Sequence, residues 1–161
     1  MTSQTKRIWD WFSVVLGTGL GVGFCPIMPG TVGSLWGPLA IWGLKTLELH
    51  LSLEISVAVI VFFIGVPICG SAANFLHKKD PGSVVFDELA AFYIVLLPIS
   101  LGEWHWRWVW VGFVLFRVFD IVKPWPVKLA EKPPQGWGIM LDDQVAAVYA
   151  ACLLWLAMSL F

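Results

Sequence analysis

Charged residues are scarce in this chain of 161 residues, of which only 13% are Asp, Glu, Lys or Arg, against about a quarter in soluble domains. Hydrophobic residues make up 58% of the chain, and its mean hydropathy is +0.80. The net charge of −1 gives no basic surface that would indicate a nucleic-acid partner. The three cysteines, Cys25, Cys69 and Cys152, lie far apart without a metal-binding spacing, so we interpret them as small apolar filler. The composition predicts an integral membrane protein.

Long apolar stretches run between the few charges, and a membrane-crossing helix needs about 20 mostly apolar residues. The glycine-rich stretch 8–24 predicts a re-entrant or interfacial helix instead of a full crossing. We therefore predict an all-α, polytopic membrane protein that forms one domain over residues 1–161. Its expected transmembrane helices are about five in number, at 31–49, 53–76, 84–101, 105–122 and 143–161.

Lysine and arginine residues indicate the orientation, because cytoplasmic loops carry an excess of them. With five crossings, one face holds eight of the ten and the other holds only Lys45 and Arg107. The richer face is expected in the cytoplasm, and its members are Lys6, Arg7, Lys78, Lys79, Arg117, Lys123, Lys128 and Lys132.

Most of the acidic residues lie in four short clusters, which the same topology brings to the cytoplasmic face. Ionisable groups at a bilayer edge are costly and suggest a functional site. Several carboxylates on one face are typical of a site for a hard divalent cation. The clusters are Asp80, then Asp87 with Glu88, then Asp120, then Asp142 with Asp143.

Each cluster also has a purely structural interpretation. The pairs that begin at Asp87 and Asp142 stand at the predicted starts of the third and fifth spans, where acids can cap a helix. Asp120 lies near the predicted end of the fourth span, before Lys123 and Pro124, where an acid is electrostatically unfavourable. A structural ion pair with Arg117, three residues earlier, is the alternative for Asp120. Asp80 lies in a Pro-Gly turn and is as easily a solvated turn residue.

A different chemistry is suggested by Pro-Gly-Thr-Val-Gly-Ser at 29–34. Free N–H groups, small glycines and the hydroxyls of Thr31 and Ser34 are typical of an anion site. Lys123 could supply a cation to the same anion. Glycine and proline also simply end helices, so this segment has an equally plain structural interpretation. Carboxylates for Mg²⁺ beside an anion cradle and a lysine are the parts of a phosphoryl-transfer site.

Four segments together resemble the phosphatidylglycerophosphatase A family over roughly residues 24–150. The resemblance implies a mainly helical, Mg²⁺-dependent phosphatase of the bacterial inner membrane, which removes the terminal phosphate of phosphatidylglycerophosphate to give phosphatidylglycerol. Gln135 departs from the family pattern, which often has a glycine there. The segments are Pro29–Ser34, Asp80–Pro81 followed by Val85–Glu88, Phe116–Pro124 and Gly138–Asp143.

We accordingly expect Mg²⁺ ligands at Asp87, Glu88, Asp142 and Asp143. Arg117 and Lys123 are expected to neutralise phosphate charge, and Thr31, Gly33 and Ser34 to form the anion cradle. Asp120 is a ligand, a general base for water, or a nucleophile.

The expected partner is a phospholipid substrate in the membrane, and no nucleic acid or obligate protein partner is indicated. The alternative function is a cation-coupled transporter or channel subunit that uses the acids as an ion path. A structural membrane subunit, in which the acids are only caps and turns, is a third reading.

Overall fold

The structure is a computed structural model that describes residues 3–47, 50–102 and 104–161. Within these residues it contains nine α-helices, one short 3₁₀ turn at Val22–Phe24, and no β-strand. The all-α prediction is thus confirmed for the described part of the chain. The α-helices are α1 Ser3–Gly17, α2 Pro29–Ser34, α3 Trp36–Lys45, α4 Leu51–Phe75, α5 Phe86–Val95, α6 Leu97–Ser100, α7 Trp106–Val122, α8 Val127–Ala130 and α9 Gly136–Leu160.

Two helices, α4 and α9, are each long and apolar enough to cross a membrane. The predicted count of about five crossings is not confirmed. The first predicted span is divided at Leu35 into α2 and α3, and its last two residues, 48 and 49, lie outside the described residues. The third is divided at Leu96 into α5 and the short α6, because Pro98 has no N–H group for a continuous helical ladder.

The end of α7 agrees with the prediction. The helix ends at Val122, and Lys123 follows in the left-handed conformation (φ 45°, ψ 58°) while its N–H donates to the Phe119 carbonyl. Pro124 comes next, and a proline disfavours helical backbone in the residue before it.

The start of α9 was predicted wrongly. The helix begins at Gly136 rather than at residue 143, so Asp142 and Asp143 lie about two turns inside it and its first turn holds no acid. They are therefore not helix caps. The early start depends on close packing, because a Cβ atom at Gly136 would clash with the backbone of α4 at Val66 and Gly70.

The centre of the bundle is α5, which packs against α3, α4, α7 and α9. One core cluster joins α5, α7 and α9 through fully buried side chains such as Phe92, Phe116 and Leu154. A second cluster joins α1, α4 and α9 around Cys69 and Met140. The helix contacts also bring the start of α5 and the end of α7 beside the first turns of α9, at one end of the bundle.

The N-terminal segment forms α1, which packs along α4. Its inner face buries Ser13 and Val14, while Ile8 and Trp11 are exposed on the outer side. Gly19 (φ 58°) and Gly21 (φ 91°) then turn the chain toward α2. An interfacial position for this segment remains a prediction.

Candidate active site

A cavity of about 370 Å³ lies where α5, α7 and α9 meet at one end of the bundle. Acids from all four sequence clusters line it, together with Arg117 and Lys123. The sequence-based expectation that the clusters converge on one site therefore agrees with the geometry. We name this space the carboxylate cavity after its acids, Asp80, Asp87, Glu88, Asp120, Asp142 and Asp143.

Arg117 links two of these clusters. Its guanidinium Nη1 lies 2.8 Å from Asp120 Oδ2 and 3.1 Å from Glu88 Oε1, and it donates to Ser34 Oγ at 3.2 Å. The ion pair expected as a structural role for Asp120 is thus present, and Asp120 still lines the cavity. Arg117 Nε is buried and has no acceptor among the described residues, so its N–H is a donor to which an anion could bind.

Lys123 links the end of α7 to α9. Its ammonium Nζ lies 2.7 Å from Asp142 Oδ2 and also donates to Glu131. Partial burial alone would lower the pKa of Lys123, but the bonds to Asp142 and Glu131 raise that pKa above its ordinary value. Lys123 is therefore a permanent cation at one wall of the cavity.

Asp87 stands in the first turn of α5, and one of its oxygens, Oδ1, accepts the Glu88 N–H at 3.0 Å. This contact resembles helix capping, so the structural interpretation of Asp87 holds alongside its place in the cavity. Glu88 accepts hydrogen bonds from Ser34 and from Arg117. The carboxylate of Glu88 is consequently the most fully engaged of the four expected metal ligands.

The carboxylates of α9 fit a cation. Asp142 Oδ1 and Asp143 Oδ2 are buried without a donor among the described residues, and a buried carboxylate without compensation is costly. No three acidic, histidine or cysteine side chains in residues 3–47, 50–102 and 104–161 form a ready-made metal group. Mg²⁺ does not require one, because it usually takes one or two carboxylates and completes its shell with waters and phosphate oxygens.

The expected anion cradle is only partly arranged around the cavity. Thr31 lines it, whereas a Cβ atom at Gly33 would run into Val85, so Gly33 serves close packing. Ser34 is fully buried, and its single hydroxyl hydrogen lies within reach of two acceptors, Glu88 and the Gly30 carbonyl. Gly30 was not singled out from the sequence, yet a Cβ atom there would lie 2.5 Å from Glu88 Oε1 and 3.2 Å from Arg117 Nη2. Its only sequence signal was its place in the segment Pro29–Ser34, which was interpreted as an anion site and resembles the family.

The sequence matches one known protein family over most of its length. The model for phosphatidylglycerophosphatase A matches residues 15–158. The chain belongs to the phosphatidylglycerophosphatase A family. The predicted resemblance is therefore confirmed, and with it the assignment to an enzyme family of phosphoric monoester hydrolases.

Three curated relatives cover most of the chain. Phosphatidylglycerophosphatase A of Escherichia coli K12 is 39% identical over 95% of this chain and 86% of its own length. A protein of the same name from Haemophilus influenzae is 37% identical over 84% of the chain and 82% of its own. A putative phosphatidylinositol-3-phosphatase of Bacteroides thetaiotaomicron is 38% identical, covering 90% and 92%. No solved structure gave a significant match.

Proposed function

We propose that the chain is a Mg²⁺-dependent lipid phosphatase that hydrolyses phosphatidylglycerophosphate to phosphatidylglycerol and phosphate at the cytoplasmic face of a bacterial inner membrane. The supporting observation is that four acid clusters, distant in sequence, share one cavity with Arg117 and Lys123. A relative of 39% identity carries the name phosphatidylglycerophosphatase A.

Arg117 and Lys123 are the groups that bind the terminal phosphate. Both side chains line the cavity, and the buried N–H of Arg117 Nε is a donor with no acceptor among the described residues. Charge-assisted hydrogen bonds to phosphate oxygens are short and strong. Thr31 adds a hydroxyl at the rim of the same cavity.

Asp142 and Asp143 would hold Mg²⁺ directly, while Asp87 and Glu88, the other two expected ligands, would act through water ligands of the ion. When bound, the ion neutralises charge on the phosphate oxygens. The two unpaired oxygens of the α9 acids are the observation that supports this assignment.

Asp120 is assigned as the general base. Its Oδ2 is paired with Arg117, and the carboxylate takes a proton from water as the water oxygen attacks phosphorus. The ester P–O bond breaks, and the leaving glycerol oxygen takes up a proton from solvent to form the alcohol of the product. If Asp120 were the nucleophile instead, acid quenching during turnover of ³²P-labelled substrate would trap labelled enzyme, and Asp120→Asn would abolish that label. We expect no label in either protein.

The second candidate substrate is phosphatidylinositol 3-phosphate, which the name of the Bacteroides relative favours. Purified enzyme in mixed micelles, given equal mole fractions of phosphatidylglycerophosphate, phosphatidylinositol 3-phosphate and phosphatidate, separates the possibilities. We expect the highest kcat/KM on phosphatidylglycerophosphate. A higher value on the inositol lipid would overturn the substrate assignment.

The membrane face can be tested independently. Single cysteines at the exposed positions Lys79 and Lys132, in a variant without the native cysteines, should react with an impermeant maleimide in inside-out vesicles. Labelling in right-side-out vesicles alone would place the cavity on the opposite face.

Gathering of the acids at one end of the bundle also favours the enzyme over the transporter alternative, which needs acids at mid-membrane depth on facing helices. Liposomes containing the protein provide the test. Cation flux without phosphate release from the lipid would support the transporter.

A further inference from the structure

A second cationic space adjoins the carboxylate cavity around α8. It has a volume of about 440 Å³ and shares Lys123 with the carboxylate cavity. We name it the basic groove, and its defining side chains are Lys79, Lys123, Trp125, Lys128, Leu129 and Lys132.

The groove and the cavity are neighbours. Both are lined by Lys123, and a small space of about 80 Å³ shares Asp80 and Asp142 with the cavity and Lys79 and Glu131 with the groove. A molecule with two anionic groups can therefore place one in each space without leaving the protein surface.

The charge of the groove is strongly positive. Glu131 is its only acid among the described lining residues, and this carboxylate is already paired with Lys123. Lys79, Lys128 and Lys132 are exposed and form no ion pair in the part of the chain that the structure describes. Three lysines that form no ion pair among the described residues thus line a space next to the proposed phosphatase centre.

The groove is also amphipathic. Trp125 is 78% exposed and Leu129 is 42% exposed, and both lie among the lysines. Exposed tryptophan with lysine is typical of the membrane–water interface. This combination suits a lipid headgroup better than a soluble phosphate ester.

We propose that the basic groove binds the phosphodiester of the lipid substrate while its terminal phosphate occupies the carboxylate cavity. The inference rests on the proposed function, since phosphatidylglycerophosphate carries one phosphodiester and one phosphomonoester separated by a single glycerol unit. Lys128 and Lys132 are then residues that determine specificity for a lipid with two phosphates. The product retains the phosphodiester, so it should bind the same groove after the terminal phosphate has left.

The test uses the full-length enzyme and substrate diluted in neutral detergent micelles, so that no anionic bilayer surface is present. Lys128→Gln and Lys132→Gln should each raise KM for phosphatidylglycerophosphate by roughly two- to fivefold, the range of exposed ion pairs. The double variant should raise it by about tenfold, since separate contacts combine. Most of the loss in kcat/KM should come from KM. Lys78→Gln is the matched control, because Lys78 is exposed but lies outside both spaces.

Inhibition gives a second readout. Phosphatidylglycerol has only the phosphodiester, so its inhibition constant should rise in the double variant by the same factor as KM. Inorganic phosphate competes in the carboxylate cavity, and its inhibition constant should stay unchanged. High salt should weaken inhibition of the wild-type enzyme by phosphatidylglycerol in the same way. This measurement needs no variant, so it still tests the proposal if the double variant fails to fold.

Three outcomes would overturn the inference. The first is an unchanged KM and unchanged product inhibition in the double variant. The second is an equal weakening of phosphatidylglycerol and inorganic phosphate as inhibitors of that variant. The third is an effect of the substitutions that appears only on anionic vesicles, which would make the lysines a general membrane-docking surface. Failure of the wild-type enzyme to release phosphate from phosphatidylglycerophosphate would instead overturn the proposed function.

Discussion

Lys123 Nζ lies 2.7 Å from Asp142 Oδ2 and so connects the end of α7 to the second turn of α9. The side chain of Asp142 is only 5% exposed, and that of Lys123 is 26% exposed. The sequence assigned these residues separately, one to phosphate and the other to the metal. Their contact means that removing either side chain leaves the other without its ion-pair partner.

Lys123→Met should reduce activity more than 100-fold, because it removes a phosphate-binding cation and leaves Asp142 without its partner. Truncating one side of a buried ion pair is strongly destabilising, and for this partly exposed pair we expect a loss of about 2 kcal/mol. Lys123→Arg should retain part of the activity and most of the stability. Steady-state kinetics and thermal unfolding in detergent measure the activity and the stability of both variants. Full activity in Lys123→Met would show that Lys123 has no part in the mechanism.

The convergence of the acids could be predicted because it depends only on which helix ends share a side. It holds without a confirmed number of crossings, since the start of α5, the end of α7 and the first turns of α9 meet. The pairings could not be predicted, because Ser34 and Glu88 are 54 positions apart and nothing in the local sequence specifies their distance.

Gly30→Ala should lower activity by at least tenfold without changing any ionisable group. The added methyl carbon would lie 2.5 Å from Glu88 Oε1, so the carboxylate and its partner Arg117 must shift, and misplacement of about 1 Å can cost 100-fold in rate. Gly43→Ala in α3 is the control, because a Cβ atom there meets nothing within 4 Å. Equal activity in the two variants would show that the position of Glu88 is unimportant.

Gln135→Gly should stabilise the protein by about 1 kcal/mol or more, because backbone in a glycine-favouring region costs a residue with a side chain about 1–3 kcal/mol. Gln135 precedes α9 with φ 57° and ψ −140°. Gln135→Ala keeps the Cβ atom and should give no such gain. An unchanged thermal midpoint in Gln135→Gly would show that the backbone at Gln135 is not strained.

The sequence showed that Gln135 replaces a glycine of the family pattern, but it did not show that α9 begins directly after this residue. Counting apolar residues placed the start of the last span at residue 143, with Asp142 and Asp143 at its beginning, because acids normally bound a span. Inside a protein cavity an acid does not end a helix, and Gly136 allows α9 to begin against α4. The division of the third span at Leu96 was also missed, because hydropathy measures only how apolar a residue is. It does not show that Pro98 has no N–H group for the helical hydrogen bonds.

Divalent metal should stabilise the wild-type protein against thermal unfolding. Asp143→Asn should remove this response and should stabilise the metal-free protein, because it neutralises a buried carboxylate whose Oδ2 has no hydrogen-bond partner among the described residues. Thermal midpoints of both proteins with chelator and with Mg²⁺ check this without any assay of activity. A response to Mg²⁺ that is equal in the two proteins would exclude Asp143 as a ligand.

The most direct test of the account is phosphate release from phosphatidylglycerophosphate over a range of Mg²⁺ concentrations, in the wild-type enzyme and in Asp142→Asn. We predict no turnover in chelator, full recovery on adding Mg²⁺, and at least a 100-fold lower rate in the variant. Turnover that persists in chelator, or a variant as active as the wild type, would contradict the assignment of the carboxylate cavity as a Mg²⁺-dependent phosphatase site.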